Sequence, residues 1–182
     1  MVRGGDTDSL CGQVIKGMNM RFRRAWLGGI LAWALGASGP LAAADTALPH
    51  AADLAADAAL AKKKRVPLLV LFSSPTCHYC ERVKAEYLRP MQQDPAFADR
   101  VLIREVSVGT STPLVDFSGA KTTEGGFASA SGVFMVPTVK IFDARGAAVG
   151  EALVGLLSPD FYYGYLVDAI DAGLRAMRPS QK

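Results

Sequence analysis

The sequence predicts an α/β domain, in which apolar strands alternate with helices. Residues 68–72 form a short continuous apolar run, which is the pattern of a strand buried on both faces. After this run, apolar residues recur at helical spacing as far as Met91. Near the C-terminus, Ser158 and Pro159 mark the start of a final helix, and a wide apolar stripe follows from Phe161 to Met177.

The most informative motif is a Cys-x-x-Cys pair, Cys77 and Cys80, between the first strand and the next helix. Backbone N–H groups and the dipole at a helix N-terminus stabilise a thiolate, which lowers the thiol pKa from about 8.5 in a free cysteine. We therefore assign Cys77 as the nucleophile. Cys80 lies one turn deeper, where it can form a disulfide with Cys77 and release a substrate from a mixed disulfide. Cys80 is then the resolving thiol.

Three neighbours of the cysteines are candidates for modulating this chemistry: Thr76, His78 and Tyr79. A protonated His78 beside Cys77 would favour the thiolate and make the pair a stronger oxidant. Tyr79 shares the intervening dipeptide with His78, and Thr76 directly precedes Cys77.

Cys-x-x-Cys pairs also occur in metal sites. Structural zinc needs four ligands, and beyond the pair the chain offers Cys11, His50 and His78. His78 is confined between the two cysteines, and Cys11 lies in a predicted presequence. We therefore expect no zinc site and no cofactor. A copper(I) carrier remains an alternative function, because two thiolates select that soft ion.

A second apolar run, residues 133–142, contains a proline within a strand-like pattern. Pro137 cannot donate to a sheet, so it requires an edge position, a bulge or a cis peptide bond. A strand, a Cys-x-x-Cys helix, a second strand, a helix and then Val136-Pro137-Thr138 together resemble the thioredoxin superfamily. The resemblance extends over residues 50–177 and is nearest to secreted bacterial members such as the Sox-cluster thioredoxin. It extends more distantly to the C-terminal domain of the disulfide reductase DsbD.

This resemblance implies a thioredoxin fold, with a central mixed β-sheet flanked by helices on both faces. It implies that the Val136–Pro137 bond is cis and faces the cysteines across a groove, with Gly155 nearby. The backbone of Val136 would bind an extended substrate by strand addition. Thioredoxins have a buried acidic proton relay six residues before the first cysteine, where this chain has Leu71. The proton of Cys80 must therefore move through another group or water.

The N-terminal region has the organisation of a secretory signal. Basic residues precede the apolar run 25–35, and the run is followed by the cleavage pattern Ala42-Ala43-Ala44. The basic residues are Arg21, Arg23 and Arg24. A retained membrane anchor is the alternative, but glycines interrupt the run, and a span needs about 20 sustained apolar residues.

The predicted organisation is a presequence over residues 1–44, with the signal in 21–44, cleaved after Ala44. A single thioredoxin-like domain follows over residues 45–182. Within it, residues 109–119 form a long connection, which is either a docking surface for a partner or a plain insertion.

Net charge argues against one class of function. The chain has 20 Lys and Arg against 17 Asp and Glu, a formal net charge of +3. The excess lies in the presequence, which carries Arg3, Lys16, Arg21, Arg23 and Arg24 against Asp6 and Asp8. The remaining chain is neutral and gives no support for nucleic-acid binding.

We therefore expect a periplasmic thiol-disulfide oxidoreductase that acts as a monomer on disulfide- or dithiol-bearing client proteins. It would exchange electrons with a membrane or periplasmic redox partner. The resemblance to secreted reductases favours the reductive direction. A redox-inert interaction module of the same fold is a further alternative beside the copper(I) carrier.

Overall fold

The computed structural model describes residues 47–156 and 158–178. The predicted presequence, with Cys11 and the cleavage site after Ala44, lies outside the described residues. The helices are α1 Leu54–Lys64, α2 His78–Val83, α3 Arg89–Gln93, α4 Pro95–Ala98, α5 Glu124–Ala130 and α6 Pro159–Met177. A π-helical turn, Lys84–Leu88, joins α2 directly to α3. The strands are β1 Leu68–Ser73, β2 Leu102–Ser107, β3 Pro113–Val115, β4 Lys121–Thr123, β5 Thr138–Phe142 and β6 Ala148–Val154.

The central sheet has the strand order β2-β1-β5-β6. Strand β1 pairs in parallel with β2 and antiparallel with β5, and β5 pairs antiparallel with β6. Every residue of β1 is buried, which explains its continuous apolar sequence. The sheet is therefore mixed, as the resemblance to the thioredoxin superfamily implied.

Alternate side chains of β1 enter two separate cores, because successive residues of a strand point to opposite faces. Leu69 and Leu71 pack on one face with apolar residues of α2, the π-helical turn, α3 and α6. Leu68, Val70 and Phe72 pack on the other face with residues of α1 and α5. Helices cover both faces of the sheet, so the predicted thioredoxin fold is confirmed. Among the described residues, no helix is long and apolar enough to cross a membrane.

The segment 109–119, which the sequence suggests is a long connection, contains one strand of a hairpin. Strand β3 pairs antiparallel with β4. Asp116 closes the turn between them, because its carboxylate accepts hydrogen bonds from the backbone N–H groups of Ser118 and Ala120. Strands of three residues are too short to give a periodic signal, and the leading Pro113 argues against a strand in sequence.

Two apolar patterns are wider in the sequence than in the structure. Strand β5 begins only at Thr138, and Phe134 in the preceding loop is 87% exposed. In α6, Tyr162, Leu166 and Ile170 are buried, but the predicted stripe also included Phe161 and Tyr165. These two are 67% and 48% exposed, because a helix resting on a sheet buries only its central line of contact.

Candidate active site

Strand β1 delivers the cysteine motif to the start of α2. The chain turns after Ser73, and the Cys77 backbone N–H donates to the Ser74 carbonyl oxygen at 3.0 Å. Cys77 then caps α2, because its Sγ accepts the backbone N–H of Cys80 at 3.1 Å. The sulfur of Cys77 thus lies where helix N–H groups converge, which is an environment that stabilises a thiolate.

The two cysteines form a disulfide with Cα atoms 5.2 Å apart. Their environments differ. Cys80 is fully buried, whereas Cys77 is only partly buried. A protein thiol or disulfide that approaches the reduced or oxidised pair therefore meets Cys77 before Cys80.

The three residues predicted to modulate the pair, Thr76, His78 and Tyr79, are all exposed. The rings of His78 and Tyr79 lie edge to face, with centroids 6.0 Å apart. Tyr79 is 56% exposed although it is large and largely apolar. These side chains are therefore available to a partner of the cysteine pair and do not contribute to the core.

The Val136–Pro137 peptide bond is cis and lies at the same end of the sheet as the cysteines. Thr138, which follows Pro137, pairs with Phe72, and β1 ends one residue after Phe72. The Gly155 backbone N–H donates to the Pro137 carbonyl oxygen at 2.7 Å. Gly155 has φ 75°, a conformation that favours glycine. The fold thus brings Val136, Pro137 and Gly155 to the sheet end from which the cysteine motif emerges.

Two residues at this end were not singled out by the sequence. Phe134 and Met135 precede Val136, and they are 87% and 65% exposed. In the sequence they continue the apolar run into β5, so they resemble strand residues rather than surface residues. The signal available was their position just after Gly132, a residue typical of turns. Exposed apolar side chains of this size are typical of contact surfaces for other proteins.

The face of the sheet that packs against the cysteine helix also holds a buried carboxylate, Glu105 of β2, which is 5% exposed. Its Oε1 accepts hydrogen bonds from the Ser73 hydroxyl at 2.5 Å and from the Lys84 ammonium at 3.0 Å. A sequence signal for this site exists, because Glu105 shares one face of its strand with the apolar residues Val101 and Ile103.

Glu81 and Lys84 are three residues apart, a spacing typical of an exposed ion pair on a helix, but Lys84 is not on the outer surface. The pair exists, with Lys84 Nζ 2.7 Å from Glu81 Oε1, but the Lys84 side chain is only 12% exposed. It turns inward because Glu105 offers a buried carboxylate there. Burial lowers the pKa of Lys84, but its hydrogen bonds to Glu81 and Glu105 outweigh this and raise the pKa above its ordinary value. The ammonium is therefore charged at neutral pH.

A second buried carboxylate, Glu124 at the start of α5, extends the polar network. His50 Nδ1 lies 3.1 Å from Glu124 Oε1, and His50 Nε2 lies 3.9 Å from Glu105 Oε2. The Thr110 hydroxyl donates to Glu124 at 3.1 Å. Within residues 47–156 and 158–178, no group of three or more His, Cys, Asp or Glu side chains is arranged to hold a metal ion.

A thioredoxin fold that carries a Cys-x-x-Cys disulfide at a helix N-terminus defines a thiol-disulfide oxidoreductase, a class that acts on disulfide-bearing substrates. The family model described as a thioredoxin-like domain matches residues 54–170, which is more than half of the chain. The chain therefore belongs to the thioredoxin-like domain family, within the thioredoxin superfamily. The matched region contains Cys77, Cys80 and Pro137. A search of curated proteins gave no match.

Solved structures with a similar fold include thioredoxins from several compartments. Mitochondrial thioredoxin 3 of Saccharomyces cerevisiae is 19% identical, over 66% of this chain and 94% of that chain, with a TM-score of 0.45. Spinach chloroplast thioredoxin F is 17% identical, over 69% of this chain and 86% of that one, with a TM-score of 0.49. The periplasmic thioredoxin SoxS of Paracoccus pantotrophus is 19% identical, over 58% and 97%, with a TM-score of 0.41.

Proposed function

We propose that this protein is a periplasmic protein-disulfide reductase that uses Cys77 as nucleophile and Cys80 as resolving thiol. The observation that carries the proposal is the unequal placement of the two sulfurs. Cys77 caps the helix and is partly accessible, whereas Cys80 is fully buried one turn further on. This asymmetry suits a reaction in which one thiol meets the client and the other acts afterwards.

In the first step, the Cys77 thiolate attacks a client disulfide. A bond forms between Cys77 Sγ and one client sulfur, the client S–S bond breaks, and the other client sulfur leaves as a thiolate that takes up a proton. In the second step, Cys80 attacks Cys77 Sγ as a thiolate. The mixed disulfide breaks, the intramolecular disulfide forms, and the client leaves as a dithiol with two electrons gained.

Val136, Pro137 and Gly155 are proposed to bind the client segment that carries the disulfide. They lie at the sheet end where the cysteine motif emerges. An extended client backbone would pair with the Val136 backbone, while apolar client side chains pack on the exposed Phe134 and Met135. Thr76, His78 and Tyr79 would contact the client from the helix side.

The proposed compartment rests on the signal-like pattern within residues 21–44. Each catalytic cycle leaves the cysteines oxidised, so a dithiol partner in the membrane or periplasm must reduce them again. The proposed enzyme acts as a monomer. It needs no cofactor, because both electrons pass through the sulfur atoms of the two cysteines.

A disulfide-reduction assay on purified protein tests this proposal. With dithiothreitol as electron source, the unaltered protein should accelerate insulin reduction, and Cys77→Ser should abolish the acceleration. Cys80→Ser should accumulate a mixed disulfide with client proteins because resolution is blocked. In full-length protein, which still carries the predicted presequence, Cys11→Ser is the matched control and should behave as the unaltered protein. Trapping by Cys77→Ser instead of Cys80→Ser would reverse the assigned order of attack.

Two further measurements test the direction of electron transfer and the alternative of a copper(I) carrier. The equilibrium redox potential of the pair against glutathione should lie on the reducing side of the glutathione couple, and a strongly oxidising value would make the protein an oxidase. Stoichiometric tight copper(I) binding by the reduced protein, without insulin turnover, would replace the reductase proposal by a copper(I) carrier. Cell fractionation with a periplasmic marker tests the compartment.

A further inference from the structure

The resolving step requires ionisation of a thiol that is buried in the folded protein. Cys80 is fully buried, and burial in apolar surroundings disfavours a thiolate. The attack on the mixed disulfide nevertheless needs that thiolate. A group near Cys80 must therefore compensate for the lost hydration of the negative charge.

Lys84 is placed to supply the compensation. It follows Cys80 by four residues on a helix that continues through the π-helical turn, so both side chains lie on one helical face, about 6 Å apart along the axis. This face packs on the sheet. The Lys84 side chain is 12% exposed, and its ammonium donates to the buried Glu105 carboxylate at 3.0 Å.

Strand register explains why Glu105 holds Lys84 on this side. Glu105 of β2 is the parallel register partner of Leu71 of β1, so both side chains point to the same face of the sheet. Leu71 packs there in one apolar core with Val83 of the cysteine helix. Glu105 therefore draws the lysine into the layer between this helix and the sheet.

We propose that Lys84 is a positioning residue for the resolving step, and that its ammonium, held in the buried layer by Glu105, favours the thiolate form of Cys80. This inference rests on the proposed function. Cys80 gives up its proton to solvent, its thiolate forms the bond to Cys77 Sγ, and the Cys77–client disulfide breaks. The departing client thiolate then takes up a proton, so charge and electrons balance.

The other charged groups around Lys84 define the controls. Glu81 contacts the ammonium from the same helix but is about half exposed. Glu105 contacts it from β2, and behind Glu105 lie the Ser73 hydroxyl and His50, which also contacts Glu124 of α5. Because solvent screens the half-exposed Glu81, whereas Lys84 is buried, removal of the Glu81 charge should affect Cys80 less than removal of the Lys84 charge.

The test is titration of Cys80 alone, followed by the ultraviolet absorbance of its thiolate, in full-length Cys11→Ser/Cys77→Ser protein. Lys84→Met removes the charge and nearly keeps the side-chain length, and should raise the pKa of Cys80 by about one unit. Lys84→Arg should restore the unaltered titration. Glu81→Gln should leave it within a few tenths of a unit, since that carboxylate is exposed. Lys84→Gln is a second neutral variant if the methionine variant does not fold.

A second readout uses the mixed disulfide itself. With Cys80 present, client release from Cys77 in Lys84→Met should be slowed about tenfold at neutral pH and should recover as the pH is raised. A purely structural defect would slow release equally at every pH.

The outcomes separate this inference from the proposed function. If the unaltered protein reduces insulin but neither Lys84→Met nor Lys84→Gln moves the titration of Cys80, the inference is overturned and the reductase stands. If the unaltered protein does not reduce insulin, the proposed function fails, and the assignment of Lys84 to a resolving step fails with it. The inference is supported if Lys84→Met raises the pKa of Cys80 and slows client release in a way that recovers as the pH is raised.

Discussion

Leu71 and Glu105 are register partners in the parallel strands β1 and β2, and both side chains lie on the sheet face that packs against the cysteine helix. Leu71 occupies the position, six residues before Cys77, at which thioredoxins have a buried acid. The carboxylate on this face comes instead from the neighbouring strand, as Glu105. A buried charged pair thus remains under the helix although β1 is entirely apolar at this position.

Removal of Glu105 should destabilise the fold. Glu105→Ala leaves the Lys84 ammonium buried with only the exposed Glu81 as partner, and it removes the acceptor of the Ser73 hydroxyl. Breaking one side of a buried ion pair costs about 3 kcal/mol of unfolding free energy. Urea unfolding followed by circular dichroism measures this loss. Glu151→Ala, at an exposed position of β6, should change stability by less than about 0.5 kcal/mol. An equal effect of both substitutions would contradict the importance of burial.

Cys77 should be alkylated before Cys80 in the reduced, folded protein. Cys77 is partly accessible at the helix start, and Cys80 is fully buried. Iodoacetamide labelling near neutral pH, followed by peptide mapping, should find Cys77 labelled first. The same labelling in concentrated urea is the control and should modify both cysteines at similar rates. Faster labelling of Cys80 in the folded protein would reverse the assignment of nucleophile and resolving thiol.

Tyr162→Phe should stabilise the protein. The Tyr162 hydroxyl is buried and has no hydrogen-bond partner among the described residues. Removing an unsatisfied buried hydroxyl should increase the unfolding free energy by about 1 kcal/mol at neutral pH. Tyr87→Phe is the matched control, since the Tyr87 hydroxyl donates to the Pro159 carbonyl oxygen at 2.9 Å. That change should lower stability by about 0.5 kcal/mol. A stability loss in Tyr162→Phe would show that its hydroxyl has a partner.

The free energy of unfolding at alkaline pH should depend on Tyr162. Burial, with a smaller contribution from Tyr87, raises the pKa of Tyr162 from 10.0 to about 12. Between these values the unfolded chain has lost the Tyr162 proton and the folded chain retains it, so stability falls as the pH rises. The loss attributable to Tyr162 is about 2–3 kcal/mol. Urea unfolding at several alkaline pH values should show this part of the loss in the unaltered protein and not in Tyr162→Phe. If the unaltered protein and Tyr162→Phe lost stability equally as the pH rises, the raised pKa of Tyr162 would be contradicted.

Two glycines of α6 should respond to alanine with opposite signs. A Cβ at Gly173 would lie 2.7 Å from both Pro67 Cβ and Ile141 Cγ2, so Gly173→Ala should cost about 1–3 kcal/mol by overpacking. A Cβ at Gly164 meets nothing within 4 Å. Gly164→Ala should therefore stabilise the helix by about 0.5–1 kcal/mol, because alanine has the higher helix propensity. Thermal unfolding of the two variants measures both effects. A neutral Gly173→Ala would show that the helix can shift away from the sheet.

The elements that the sequence predicted well are those whose signals are local. The buried strand, the helix that begins at the cysteines and the final helix that starts at Ser158 and Pro159 are each marked by residues a few positions apart, so they can be recognised without knowing which elements pack against them. The long π-helical turn within the cysteine helix could not be predicted in this way, since apolar spacing is similar for a helix with or without one added residue.

Local patterns in the sequence were enough to establish the fold class and the motif: a run of β-forming apolar residues, a cysteine at a helix start and a second cysteine one turn later. Tertiary structure alone decided which polar groups accompany Cys80 and which apolar groups meet solvent. Glu105 is 21 residues from Lys84 in the chain, and only strand register places the two together. Phe134 and Met135 belong to the apolar run that leads into β5, but β5 starts after them, so they remain exposed. Burial and ion pairing depend on which surfaces are packed together, and that information is distributed over the whole chain.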